Sequence, residues 1–173
     1  MTLRRLTPDD APASRALRLL GLKESPASFG RSFREEASQP LSFFEQRLAA
    51  GGPAATFGAF VDVELIGMIT LLRAAGLKEN HKATIVGLYV HPEHRRRGVA
   101  RKLVARALRA ASGLHGVRHL RVAVVATNAP ALALYEAFGF SIYVREPEAL
   151  RHRGRFLDEL LLARPVAGLR SLR

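Results

Sequence analysis

The spacing of apolar residues changes several times along this chain, and each change marks a new element. Residues 2–6 read as a short strand, and Thr7-Pro8-Asp9-Asp10 is a helix-start signal. The helix that follows is predicted to run to about Leu20 and to stop at Gly21. LKESPASFGRSF reads as loop or broken helix. A second helix is expected from about Pro40 to Ala50, with Ser42 and Glu45 at capping-box spacing and a stop at Gly51-Gly52-Pro53.

Strand-like patterning then takes over. TFGAFVD and ELIGMITLLRA predict two strands joined tightly around Asp62 to Glu64. ATIVGLYV predicts a third, and Gly87 inside it marks a bulge or a close backbone approach. From Gly98 to about Ser112 the period becomes helical: Val99, Leu103, Val104, Ala107, Leu108 and Ala111 form one stripe, with Arg101, Lys102, Arg106 and Arg109 opposite. HLRVAVVA is a strand, NAPALALYEAF a helix closed by Gly139 at its C′ position, and FSIYV and RFLDELLLA the last strands. The strand-helix-strand unit in the middle implies at least one parallel strand pair. The prediction is a mixed α/β domain of about seven strands and four helices.

At 173 residues one domain is expected, over 1–164, with 165–173 as a flexible basic tail. Cysteine is absent, which removes disulfides, thiolate metal sites and a cysteine nucleophile and fits a cytoplasmic protein. MTLRRLTPDD has no apolar core of a secretory signal, and no apolar run reaches membrane-spanning length. The formal net charge of +12 favours an anionic partner: nucleic acid, acidic protein or a phosphorylated cofactor.

HPEHRRRGVARKLV, residues 91–104, narrows that choice. Arg95, Arg96 and Arg97 crowd the start of a helix, where the dipole repels cations. An anion held by the first-turn N–H groups, from about Arg96 to Arg101, resolves the conflict; Gly98 permits the tight turn and Ala100 a close ligand approach. A solvated basic loop is the alternative. Neither G-x-x-x-x-G-K-[ST] nor G-x-G-x-x-G occurs, so the two familiar nucleotide loops are excluded.

A second motif joins the first: Thr127-Asn128-Ala129-Pro130, then Tyr135, then Gly139-Phe140. Together they resemble the GNAT superfamily of acyl-CoA-dependent N-acetyltransferases. RRRGVA is similar to that family's R/Q-x-x-G-x-G/A motif, after a strand ending in V-x-P, and the likeness runs from about Thr56 to Leu162. The resemblance implies a GNAT-like, mostly antiparallel sheet and direct acetyl transfer from acetyl-CoA to a primary amine. It implies that Leu88, Tyr89 and Val90 lend backbone groups to the pantetheine arm, with an N–H near Leu88 polarising the thioester carbonyl. Arg96, Arg97, Gly98, Val99, Ala100 and Arg101 would hold the pyrophosphate, Asn128 would bond the pantetheine arm, and Tyr135 would protonate the leaving thiolate. Other readings stay open: Asn128 as a helix cap, Tyr135 as a core ring, the basic helix face as solvated surface.

The base that deprotonates the amine is not evident. Relatives that acetylate protein N-termini carry a glutamate where this chain has Ala123; Glu79 and His81 are the remaining candidates. Acceptor contacts are expected from KESPASFG, with Ser28 and Phe29 as wall residues, and from REPEALRHRGR. His91 and His94 lack a third ligand, so no metal is expected. The rival readings are an acyl-CoA sensor without turnover and a nucleic-acid or ribosome-binding module; aromatic residues at 7% with no Trp weigh against the latter. The resemblance also implies a homodimer without fixing its interface.

Overall fold

A computed structural model describes residues 1–166. Its strands are β1 (Thr2–Arg5), β2 (Ala54–Val61), β3 (Glu64–Arg73), β4 (Lys82–Val90), β5 (His119–Val125), β6 (Ser141–His152) and β7 (Arg155–Pro165). They form one sheet in the order β1-β2-β3-β4-β5-β7-β6. Every neighbouring pair is antiparallel except β4–β5, which is parallel. The helices are α1 (Ala11–Glu24), α2 (Phe33–Ala37), α3 (Leu41–Leu48), α4 (Val99–Ser112) and α5 (Ala129–Glu136). Among the described residues no helix is long and apolar enough to cross a membrane. The expected basic tail falls mostly outside the described residues, although Pro165 still belongs to β7.

The mixed α/β sheet is the one the patterning predicts, and its mostly antiparallel order the one the resemblance implies; several differences lie in the first fifty residues. Helix α1 runs through Gly21 to Glu24 instead of stopping there. A Cβ at Gly21 would lie 2.9 Å from the Tyr89 ring, so this glycine serves helix-to-sheet contact. At the end of the stretch read as loop or broken helix begins an unanticipated short helix, α2, whose N-cap Ser32 accepts from the Glu35 amide while Glu35 accepts from the Ser32 amide. The capping box expected at Ser42 and Glu45 is absent. Pro40, fixed near φ −67°, starts α3 directly after itself and leaves Ser42 inside the first turn.

Strand alternation fills a core on each face of the sheet. On one side Phe57, Ile69, Leu71, Ile85, Val122 and Val124 meet Val99, Leu103, Val104 and Ala107 of α4, the stripe predicted from the helical period. On the other, Met68 and Tyr89 meet Leu17 of α1 with Phe44 and Leu48 of α3. Met68 and Ile69 are chain neighbours and enter opposite cores.

REPEALRHRGR holds a further correction. The strand expected over FSIYV does not end there: β6 continues to His152, Arg153 (φ +49°) and Gly154 (φ +78°) make the turn, and β7 starts at Arg155. Two consecutive left-handed residues are the chemistry of a two-residue hairpin. Arg151, Arg153 and Arg155 therefore sit at a hairpin tip. As an edge strand, β6 tolerates Pro147.

Candidate active site

The site grows from one interruption in the sheet. β4 and β5 pair only over Lys82–His119, Ala83–Leu120 and Thr84–Arg121, yet β4 runs on to Val90 and β5 to Val125. Beyond Thr84 the two strands diverge. Both point their carboxyl ends the same way, so the segments that follow them, the 91–98 turn into α4 and the Thr127–Asn128 turn into α5, face the same opening.

A bulge shapes the β4 wall. Thr70 pairs with Val86 and Met68 with Tyr89, so Gly87 and Leu88 together stand opposite Ile69. Gly87 has φ +64°, a conformation that side-chain-bearing residues rarely adopt. The His91 amide donates to the Ile66 carbonyl at 2.8 Å, which by alternation turns Val90 toward the diverging edge. The same alternation commits the backbone of Tyr89 to Met68, so of the three residues expected to line the arm, Leu88 and Val90 have backbone groups facing the opening. The Tyr89 side chain points the other way and donates to Glu24 Oε2 at 3.1 Å.

The turn into α4 leaves a row of amides unpaired. Arg96 (φ +59°) and Gly98 (φ +76°) are both left-handed, and Gly98 caps the helix. None of the amides from Arg96 to Arg101 donates to another group among the described residues; the first to do so is Lys102, to the Gly98 carbonyl at 3.1 Å. A Cβ built on Gly98 meets nothing within 4 Å, so the space in front of this turn is open. Successive N–H groups in such a turn form an anion-binding concavity, strengthened by the helix dipole.

The three arginines divide their work. Arg95, though exposed, is taken up by the protein: its guanidinium holds Glu24 through two bonds, one of 2.8 Å, and donates from Nε to the Val90 carbonyl at 3.0 Å. That ion pair, with Ser25 and Tyr89 also donating, holds the Glu24 carboxyl down at about 2. Arg96 and Arg97 remain exposed beside the free amides. Arg101 lies over the Phe138 ring, 5.3 Å from its centroid, and so leans toward α5.

Across the opening, Asn128 caps α5: its Oδ1 accepts from the Ala131 amide at 3.2 Å, and its Nδ2 lies 3.5 Å from Ser28 Oγ. Tyr135 is 3% exposed and packs edge-on against Phe140, with ring centroids 5.5 Å apart. Burial pushes its phenol well above the ordinary value. Gly139 and Phe140 are structural: their amides close α5 on the carbonyls of Glu136 and Tyr135, at 2.8 and 3.2 Å, the Schellman pattern.

Glu79 and His81 lie elsewhere. Glu79 pairs with Lys82 at 3.2 Å in the turn before β4, and the His81 carbonyl accepts the amides of Arg118 and His119. Both stand at the start of the strand, roughly 20 Å from Leu88 at ~3.3 Å per residue. Nearness in sequence to the strand suggested them; strand direction separates them from the opening.

On the α1–α3 face the opening widens into a cleft of about 710 Å³. Ser28 and Phe29 are on its wall, Thr70, Val86, Gly87 and Ala123 on its floor, and Glu159 of β7 beside them. Arg18 holds Glu36 with two bonds of 3.0 and 2.8 Å and lies over the Phe29 ring at 4.8 Å. Arg31 and Arg47 also line the cleft; Arg47 is 4.0 Å from Glu36, and burial lowers its guanidinium from the ordinary value. Glu36, Arg47 and Glu159 were not anticipated. An acidic residue in the apolar run LDELLLA was the available signal for Glu159, but which face it took depended on the hairpin register.

The sequence model of the Acetyltransferase (GNAT) family matches residues 20–140. The chain belongs to this family. Its GNAT fold agrees with solved structures across nearly the whole length. A GNAT-family acetyltransferase from Streptococcus pneumoniae superposes with a TM-score of 0.85 at 19% identity, over 96% of this chain and 99% of that one. The structure of yncA from Salmonella typhimurium, with its cofactor acetyl-CoA, gives a TM-score of 0.82 at 18% identity, over 100% and 98%. A curated relative, the L-amino acid N-acyltransferase MnaT of Escherichia coli (strain K12), is 28% identical over 128 residues, 71% of this chain and 70% of its own. The protein is thus a GNAT acyltransferase.

Proposed function

We propose that this GNAT enzyme transfers the acetyl group of acetyl-CoA to the primary amine of an acceptor that also carries a carboxylate, an amino acid being the simplest case. The observation that carries the cofactor half is the row of unpaired amides from Arg96 to Arg101 in front of the open side of Gly98. These amides, with Arg96 and Arg97, suit a diphosphate. Asn128, the backbone groups of Leu88 and the Val90 N–H, whose carbonyl is already taken by Arg95, suit the amide-rich pantetheine arm, and the Leu88 N–H at the bulge suits the developing oxyanion.

Tyr135 acts as the acid. Its raised phenol is protonated throughout the neutral range, and it donates to a thiolate whose reference pKa is about 8.5. Packing against Phe140 is compatible with that role, since it fixes the ring. The amine attacks the thioester directly, because the chain has no cysteine and its site has no activated nucleophile to form an acyl-enzyme. The acceptor half rests on the cleft: Arg18 is committed to Glu36, while Arg31 and Arg47 offer positive charge to a carboxylate. The name of the MnaT relative agrees with it.

A thermal-shift titration with acetyl-CoA, followed by a thiol-release screen of the twenty L-amino acids against simple alkylamines, tests both halves. Stabilisation by acetyl-CoA and turnover of amino acids over alkylamines is expected. No stabilisation at millimolar acetyl-CoA overturns the reading, and stabilisation without any turnover makes the protein a sensor.

A further inference from the structure

Three carboxylates line the cleft, and two are already engaged. Glu35 accepts from the Ser32 amide at 2.8 Å, which holds its carboxyl below the ordinary range. Glu36 spends both oxygens on Arg18. Glu159 has no ion pair or hydrogen bond among the described residues, so its oxygens are open to a ligand. It pairs with Val125 of β5 and stands diagonally across from Ala123, about 7–8 Å away in a regular ladder. Ala123 has nothing beyond Cβ to block it, and Val86 and Gly87 line the same floor.

We propose that Glu159 is the general base of the acetyl transfer, accepting a proton from the acceptor's ammonium directly or through one water. The proposal rests on the acetyl-transfer reading and assigns the role that Glu79 and His81 cannot reach. The ammonium gives a proton to the Glu159 carboxylate, and the nitrogen lone pair forms the C–N bond at the thioester carbon. The C–S bond then breaks, and the thiolate takes the Tyr135 proton. The proton still surplus on the new amide nitrogen restores Tyr135 through solvent, and Glu159 releases its own to water. One ammonium and one thioester give one amide, one thiol and one free proton.

The surroundings suit a base. Glu146 faces Glu159 from β6, Arg121 lies on β5 opposite Ala163, and Arg18, Arg31, Arg47, Glu35 and Glu36 face the cleft from α1, α2, α3 and the segment before α2. Burial first, and repulsion from Glu146 second, hold the Glu159 carboxyl above the usual carboxylate range, closer to the working pH.

E159Q is the test, with Glu159→Ala as a second variant and the acetyl-CoA thermal shift as the check on folding. At neutral pH the expected fall in turnover of an L-amino acid is about 100-fold. It should shrink as pH rises past the acceptor's own amine pKa, while the acetyl-CoA shift stays that of the parent. A loss that does not change with pH, or no loss, overturns the proposal. Carbon-13 NMR of labelled glutamate decides the case even without a turned-over acceptor. A carboxyl signal absent from E159Q should titrate above the free-glutamate range and move when acetyl-CoA is added. Titration in the ordinary range with no response to acetyl-CoA overturns the assignment. Failure of the parent to bind acetyl-CoA sinks the acetyl-transfer reading; failure of the E159Q tests with binding intact sinks only the base.

Discussion

The two sides of the opening are built from different material. The turn between β4 and α4 presents backbone: six consecutive amides with no partner among the described residues, made possible by left-handed Arg96 and Gly98. The cleft under α1–α3 presents side chains, and most are committed to one another, Arg18 to Glu36 and Glu35 to its own cap. A backbone site depends on conformation, so many side chains can surround it without changing what it binds. A side-chain site depends on identity, so each replacement changes what fits.

The largest expected effect strikes the side-chain half. Glu36→Ala leaves the partly buried Arg18 without its partner and should cost about 3 kcal/mol of stability, read as a lowered urea midpoint. Tyr135→Phe keeps the ring packed on Phe140 and removes only the hydroxyl. Turnover should fall by about 100-fold with acetyl-CoA affinity within about threefold of the parent, as steady-state kinetics and calorimetry would measure. Unchanged kcat would return Tyr135 to a purely structural role.

Gly98→Val probes the backbone half. It places a branched side chain at φ +76° in front of the free amides, and acetyl-CoA affinity should weaken at least tenfold, roughly 1.4 kcal/mol, in a calorimetric titration. If the two halves are separable, Glu36→Ala should leave that affinity nearly unchanged wherever the protein stays folded.

The smallest effect is in pH. Arg4 first, with Thr7, holds the Asp10 carboxyl at about 2, and Arg95 first holds Glu24 at about 2. Both lie below their unfolded values, so their contribution is complete above the ordinary carboxylate range and drains away as pH falls toward about 2. Acid-unfolding curves of Glu24→Gln should lose part of that slope, and added salt should flatten it further because both pairs are near the surface.

The same contrast explains what the sequence disclosed. Gly87, Gly98 and the apolar stripe of α4 were readable because backbone conformation and helical period leave local marks. The capping box expected at Ser42–Glu45 for α3 is not formed, while Ser32–Glu35, with the same spacing, caps α2: the spacing alone does not show which pair sits at a helix start. Arg95 could not be told from Arg96 and Arg97, since only the packing of α1 on β4 supplies Glu24 as its partner. Glu159 was hidden for the same reason: its place beside Ala123 follows from β5 pairing with β7, a contact between distant segments.

The brief contact between β4 and β5 has a mechanical consequence. Joined by three rungs, the four strands β1–β4 and the three strands β5–β7 meet like two ribbons pinned at one corner. An ordinary open sheet has two raw margins; this one has four, and two of them confront each other across the gap. If the proposed amide-bearing guest bonds to both inner margins, the gap should close to exchange, and slower amide hydrogen exchange along β4 and β5 on adding acetyl-CoA is the expected sign.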